Sequence, residues 1–495
     1  MSLTRRAASG AVWSIGVGVL VRVVGLAGTL VITHFLAPAV MGEVAAATVL
    51  AFTANWMSHW GFNQYVVVKG AEHDDGLFHV TVLHLALGLL ALALVVLLVD
   101  SFSVFFNAPN LSHYLPGMAL VVAIRRMVSI PDKLLVRDMR FKLVALANGA
   151  GELAYVGLAV GLVVGTDLGG FAIVVANIVQ ALVVAAIEIP AAGLRRWLTP
   201  KPWNWKRVRE ILLFGAPLGV ETFLSEAGRY WDKLMFARLF GPHDTGMYSL
   251  AFNLSDLPAT YVGEHVATAL FPTMVQIAPE RRHQVFAEAS GLLALVVVPM
   301  AVGLASVAET LVKVILSPEW QGVAQFLVVL SAIAIFRPLN SVIASLLIAT
   351  ERNWTLMSFE VLRITVLFGG MWYLSRYGEV AAAAAVGLAM AAQSVGILAV
   401  MTRQGFPALK FLAELRGPVL AATFIVAVVW ALRELFAGWT TAPQVLQLCV
   451  EVAAGALAYL GGVLLFARGT LDRFLGIVRQ QLRKRAVAAP GAVDP

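Results

Sequence analysis

Apolar residues run along the chain in blocks of about twenty, broken by short stretches where Pro, Gly and charged residues collect. The blocks do not alternate with period two. Because about 20 helical residues are needed to cross a hydrocarbon layer of about 30 Å, each block predicts a membrane-spanning α-helix. The windows fall at about 13–36, 44–67, 78–99, 112–130, 143–165 and 168–190, then at about 209–239, 246–271, 285–307, 321–349, 354–375 and 380–401, and finally at about 413–434 and 444–466. The pattern predicts an all-α integral membrane protein of about 14 transmembrane helices.

Composition narrows this further. Of the 495 residues, 60% are hydrophobic and only 13% charged, about half the charged share of a soluble domain. No polar stretch between the windows exceeds about twenty residues, which excludes an ATPase or a globular transferase module. The single cysteine, Cys449, excludes intrachain disulfides, and its apolar surroundings predict a small core residue. Arg5 and Arg6 precede the first window as in a signal peptide, yet that stretch passes twenty residues, contains Arg22 and lacks a small-residue cleavage site; it is read as the first permanent span.

Charge fixes an orientation. The 36 Lys+Arg against 29 Asp+Glu leave +7, but most of the bases sit in short loops, so nucleic acid is not the expected partner. Alternating loops place 25 of the 36 on the side of the N-terminus and only Lys313, Arg376 and Arg433 opposite, with eight inside the windows. Cytoplasmic loops are the basic ones, so both termini are expected in the cytoplasm and the protein in a bacterial inner membrane.

The chain repeats itself. Pro38 and Gly42, at the end of the first window, recur as Pro242 and Gly246 at an offset of 204, and Arg140-Phe141-Lys142 has a weaker echo in Arg352-Asn353-Trp354. An even number of spans per repeat makes the halves parallel: two six-helix lobes around a central cleft, plus two C-terminal helices. The expected organisation is an N-lobe at 1–194, a basic interlobe loop at 195–209 with Trp203 and Trp205 as interface anchors, a C-lobe at 210–402, spans thirteen and fourteen at 403–467, and a basic cytoplasmic tail at 468–495.

The segment Ala8-Ser9-Gly10-Ala11-Val12-Trp13-Ser14, the ending His34-Phe35-Leu36-Ala37-Pro38 with Gly42, and Asp232-Lys233 before Leu239-Phe240-Gly241-Pro242 carry a resemblance. With Arg140-Phe141-Lys142, they resemble the polysaccharide-exporting, Wzx-like flippases of the multidrug/oligosaccharidyl-lipid/polysaccharide exporter superfamily. The resemblance implies translocation of a lipid-linked oligosaccharide across the inner membrane.

Charges inside spans are costly and mark function or structural pairing. In span seven Glu226, Arg229 and Lys233 fall within an arc of about 60°, widened to about 140° by Asp232 and Glu221, which predicts one wet stripe. Arg22 shares a face with Gly18, Gly25 and Thr29, whose small side chains leave room for a diphosphate or a packed helix. Arg125, Arg126, Arg337 and Arg363 complete the candidate substrate-binding bases, with Arg363 one turn from Glu360. Glu221, Glu226, Asp232, Glu264, His59, His265 and Glu360 are the candidate charge partners or ion-coupling groups. Pro217, Pro258, Pro299 and Pro338 are candidate hinges, and Gly157, Gly161 and Gly165 are expected to admit a neighbouring helix.

No phosphate-binding Gly-rich loop, zinc pair or nucleophile elbow occurs, so the chain reads as a transporter rather than an enzyme, with no catalytic residue, metal or cofactor expected. The expected function is alternating-access translocation of a polyprenyl-diphosphate-linked oligosaccharide, with a proton or sodium gradient as a candidate energy source. A polysaccharide polymerase and sugar transferases are the expected partners, besides membrane lipid. The alternatives are a multidrug/cation antiporter of the same superfamily, or a membrane polymerase or glycosyltransferase.

Overall fold

In the computed structural model the described residues are 3–68, 74–256, 279–337, 339–340, 347, 353–403, 405–437 and 443–487, and all regular structure among them is helical. Contacts divide the chain into two units, Met1–Ser249 with Leu316–Trp320, and Leu250–Ile315 with Gln321–Pro495.

The first unit contains α1 (Leu3–Ile32), α2 (Pro38–Met57), α3 (Phe62–Val68), α4 (Asp74–Leu97), α5 (Val99–Phe105), α6 (Leu111–Arg137), α7 (Phe141–Gly165), α8 (Phe171–Ala192), α9 (Leu194–Leu198) and α10 (Trp205–Phe240). In α11, residues 242–256, the chain passes into the second unit. That unit holds α12 (Pro279–Ile315), α13 (Val323–Ile333), α14 (Asn353–Leu374), α15 (Glu379–Arg403), α16 (Ala408–Ala437), α17 (Gln444–Phe466) and α18 (Arg468–Val487).

Ten of the described helices are long and apolar enough to cross a membrane, and Leu20–Ile32 and Val323–Ile333 are shorter apolar segments. The chain is therefore a multi-span membrane protein. In the first unit α1 packs on α7, α7 on α8, α8 on α6, α6 on α2, and α2 on α10. The contact division groups α10 with the first unit, although the duplication makes it the opening helix of the second repeat.

The repeated Pro-x-x-x-Gly corners meet each other. Pro38 begins α2 after extended Ala37, where its missing N–H costs nothing. Its counterpart Pro242 follows Gly241, whose φ of 82° ends α10 in a conformation that disfavours a side chain. A Cβ on Gly42 would lie 1.9 Å from the Pro242 carbonyl oxygen, and one on Gly246 would lie 1.9 Å from that of Pro38. The duplication is thus a reciprocal backbone contact about a local two-fold.

Span two differs from the single helix expected at 44–67. It starts at Pro38, stops at Met57 and resumes at Phe62, with Gly61 at φ 59°. The break admits α10: a Cβ on Gly215 would sit 1.7 Å from the Trp60 carbonyl oxygen, and Gly219 lies against Trp60 as well. Two further expectations are corrected. Gly157, Gly161 and Gly165 face open space, and the close approach on α7 is made by Gly151, against Val184 and Gln180 of α8. Cys449 is exposed on α17 beside exposed Val445 and Val452, the outward face of an apolar helix rather than a core position.

The loop at 195–209 is anchored to the first unit. Asn204 accepts from the backbone N–H groups of Lys206 and Arg207, capping α10, and its own N–H donates to buried His79 Nε2 at 2.9 Å, with Trp203 beside that ring. Arg196 donates to both oxygens of Asp138 in the α6–α7 turn, which holds that carboxyl below the ordinary Asp value. In the second unit α16 and α17 are pinned to α12: Thr310 donates to buried Glu451 at 3.1 Å, Arg433 to the Ser306 carbonyl at 2.7 Å and Tyr459 to the Leu295 carbonyl at 2.9 Å.

Gly42→Ala and Gly246→Ala should each cost at least about 1–3 kcal/mol, read as a lower Tm and loss of monodisperse protein. Gly157→Ala, on an open face, should leave Tm unchanged or raise it, because Ala favours a helix over Gly. The exposed Arg196–Asp138 pair contributes less than about 1 kcal/mol. Since the carboxyl is depressed on folding, this contribution is present above the ordinary value of 3.8 and lost as pH falls through the folded value. Wild type and Asp138→Asn should differ in Tm at neutral pH and converge as the pH falls through the folded value.

Candidate functional site

A charge placed in hydrocarbon costs about 2.5–3.5 kcal/mol on insertion scales, so every embedded charge should be found with a partner or at an opening. In the first unit both occur together. Arg125, Ser129 and Asp132 on α6, Gln180 and Glu188 on α8, and Asn148 on α7 line a cavity of about 310 Å³. Spacings of four and seven on α6 and of eight on α8 put each set on one helix face.

A polar chain leaves this cavity. Arg125 Nη2 donates to Gln180 Oε1 at 2.8 Å, and Gln180 Nε2 donates to Glu152 Oε2 at 2.7 Å. The Arg125 guanidinium also lies 5.7 Å from the centre of the Phe52 ring. Glu152 packs against α1 so closely that a Cβ on Gly25 would lie 2.3 Å from its oxygen, and the charges of Arg125 and Arg22 both act on it. The small face around exposed Arg22 therefore makes room for a carboxylate from α7. Arg125, Gln180 and Glu152 thus form one polar chain across α6, α8 and α7, with the charge of Arg22 on α1 acting on its acid.

Arg126, next in sequence, points elsewhere. It is 2% exposed, and its Nη1 donates to Asn55 Oδ1 at 2.7 Å and Ser58 Oγ at 2.8 Å, while Nη2 donates to the His84 carbonyl at 2.6 Å. Longer bonds reach the carbonyls of Asn55 and Ser58, two acceptors at the C-terminal end of α2. Its guanidinium fills the space that a Cβ on Gly88 would take. Arg126 thus caps the broken second span with neutral acceptors only, as a cation at a helix C-terminus should. His59 accepts at Nε2 from Asn63 at 2.9 Å, and Asn63 accepts from Ser129 at 2.8 Å, which ties this histidine to the cavity wall.

On α10, Arg229 and Lys233 lie 5.4 and 5.7 Å from the centre of the Tyr230 ring, which also stacks on Trp56. Buried Asp232 accepts from the Tyr248 hydroxyl, and Trp231 donates to Thr53 at 2.9 Å. Glu221 and Glu226 are half-buried on the same helix. Pro217 lies within α10 and Pro299 within α12, and both helices run unbroken through them. Pro258, Glu264, His265 and Pro338 lie outside the described residues.

The second unit builds its own network. Arg363 binds Glu360 at 2.6 Å, Gln393 Nε2 donates to Glu360 Oε1 at 2.8 Å, and Asn340 joins Gln393 and Ser394. Arg337 pairs with Asp256 and lies 4.3 Å from the Phe252 ring centre. Each unit therefore contains a glutamine donating to a glutamate on the preceding long helix, Gln180 of α8 to Glu152 of α7 and Gln393 of α15 to Glu360 of α14.

Sequence reasoning missed Asp132, Gln180 and Glu188. Glu188 is the one charged residue within Phe171–Ala192, so the rule that singled out Arg22 also points to it. Buried Glu43 was missed too; it accepts from the backbone and side chain of Asn110 at 3.0–3.2 Å and anchors the start of α6 to α2.

Many-span helical units with charged networks held inside the spans define a polytopic helical membrane protein. The chain belongs to the polysaccharide biosynthesis protein family, which it matches over residues 31–325, more than half of its length. It is 25% identical over 473 residues to the succinoglycan biosynthesis transport protein ExoT of Rhizobium meliloti (strain 1021), covering 94% of this chain and 93% of that protein. It is 22% identical over 373 residues to the lipopolysaccharide biosynthesis protein WzxC of Escherichia coli (strain K12), covering 74% and 75%. Among solved structures it superposes on the lipid II flippase MurJ in an inward closed conformation, with a TM-score of 0.73 at 15% identity over 93% of this chain and 100% of that one. The resemblance carried by the short motifs thus holds for both family and fold.

Adjacent arginines should separate cleanly on mutation. Arg126→Ala removes the cap of α2 and should cost about 1–3 kcal/mol for each buried acceptor left unsatisfied, seen as loss of monodisperse protein. Arg125→Ala, at an exposed residue that donates to Gln180, should keep the fold and reduce transport at least tenfold.

Proposed function

We propose that the protein is a flippase for a polyprenyl-diphosphate-linked oligosaccharide, the repeat unit of an exported polysaccharide. It takes the lipid-linked sugar from the cytoplasmic leaflet of a bacterial inner membrane and delivers it to the outer leaflet by alternating access. The observation that carries this reading is the set of basic side chains maintained inside spans, with Arg22 exposed on α1 and Arg125 at the cavity on α6. Arginine binds phosphate oxygens bidentately, so such groups suit the diphosphate while the prenyl chain stays in lipid. The flippase and transport names of the relatives support it.

Both termini lie in the cytoplasm in this reading, because the loops on that side hold 25 of the 36 bases. The partners are the sugar transferases that build the lipid-linked unit and the polymerase that consumes it. Binding need differ only between the two facings of the carrier for net movement to follow the substrate gradient or an ion gradient.

A strain lacking the protein should accumulate lipid-linked repeat units accessible only from the cytoplasmic side. The double variant Arg22→Ala with Arg229→Ala, at wild-type protein level, should reduce surface polysaccharide at least tenfold; unchanged polysaccharide overturns the reading. Formation of product chains by the purified protein from the same substrate would instead identify a polymerase.

A further inference from the structure

Glu188 is 1% exposed, and both its carboxylate oxygens are buried without a hydrogen-bond partner on the wall of the cavity. A bare anion in such surroundings is heavily penalised by desolvation unless a cation or a proton neutralises it. The fixed charges of the protein do not supply that neutralisation. Asp132 brings a second carboxylate to the same cavity, and Lys133 Nζ is already bound to Asp132 at 2.6 Å. Asp132 and Lys133 on α6 are the charges whose fields reach Glu188; Arg125, across the cavity, donates to Gln180, and α7 contributes the neutral Asn148. Asn148 spends its amide N–H on the Val144 carbonyl, keeping its own oxygen as an acceptor, and Ser129 adds a hydroxyl. With Lys133 bound to Asp132, the two carboxylates leave one net negative charge, which a single proton or monovalent cation neutralises.

We propose that Glu188, with Asp132 in the same cavity, is a cation-exchange site that binds a proton or a sodium ion and couples translocation to the gradient of that ion. The carboxylate takes up one cation in one facing of the carrier and releases it in the other, with no other bond made or broken. The coupling half of the proposal rests on the flippase reading, whereas cation binding at Glu188 does not. The cavity lies where α6 ends, α7 begins and α8 ends, the end of the unit that carries Arg137, Arg140 and Arg196.

Two measurements test it. In the first, purified full-length protein in nanodiscs is treated with dicyclohexylcarbodiimide, which attacks protonated carboxyl groups in apolar surroundings, and the adducts are mapped by peptide mass spectrometry. The pH is varied, and NaCl is compared with choline chloride at equal ionic strength. An adduct on Glu188 that declines as pH rises is expected. Suppression by NaCl identifies sodium as the occupant, and indifference to NaCl identifies the proton. No adduct on Glu188 at any pH, or one insensitive to both pH and sodium, overturns the site.

In the second, proteoliposomes containing lipid-linked oligosaccharide are given a pH or sodium gradient. The gradient-stimulated rate of the wild type should fall at least tenfold in Glu188→Gln and in Asp132→Asn, each checked for folding by gel filtration. Equal stimulation in folded Glu188→Gln overturns the coupling. Should that variant misfold, Glu188→Asp replaces it and the labelling of wild type stands alone. If wild type moves no substrate under any gradient yet labels at Glu188 as expected, the flippase reading fails and the cation site stands.

Discussion

Hydrocarbon offers no partner for a freed backbone carbonyl, and the first unit depends on how that constraint is met at the break in span two. The helix stops at Met57 and Gly61 takes a positive φ in the break, where the Asn55 carbonyl accepts from the Ser58 N–H at 3.3 Å instead of from a residue four positions on. Arg126 supplies donors from α6 and at the same time grips His84 of α4. One guanidinium therefore holds three helices and permits the irregular backbone against which Gly215 and Gly219 of α10 close. Without that cap the break would leave buried acceptors unsatisfied, and the approach of α10 would have no surface to meet.

Embedded charges fall into two kinds once their partners are known. Arg126, Glu43 and Glu451 are buried and each bonds groups on neighbouring helices, fixing those helices to one another. Arg125, Gln180 and Glu152 form a bonded chain that ends at an opening, and Glu188 borders that opening with its oxygens unspent. Burial with satisfied bonds rigidifies, whereas charge held beside a cavity is available to a ligand. The recurrence of a Gln-to-Glu bond in both units shows that the duplication preserves a polar device as well as the Pro and Gly corners.

Much of the architecture was legible in the chain because a bilayer demands one simple thing of a sequence, a run of about twenty apolar residues per crossing. Helices are found where those runs lie, and the offset of 204 located two corners that touch. The Arg363–Glu360 pair was legible from its spacing of three residues. Other inferences failed because a one-dimensional pattern does not say which neighbour a face meets. Gly157, Gly161 and Gly165 make a small stripe, but no helix packs there; Cys449 lies in an apolar run, but on its outward side. In this setting small or apolar does not distinguish lipid-facing from buried, because lipid is as apolar as the protein core.

By itself the sequence determined that the chain is helical and membrane-spanning and where the two repeated Pro–Gly corners lie, since these follow from local hydropathy and from Pro and Gly geometry. Tertiary structure alone decided what each embedded charge does. Arg125 and Arg126 are neighbours in the chain, but about 100° of helical rotation sends one to Gln180 and the cavity and the other into the break of span two. In a medium without water, the function of a charge is set by the groups within about 3 Å of it, and those come from helices that the chain order does not bring together.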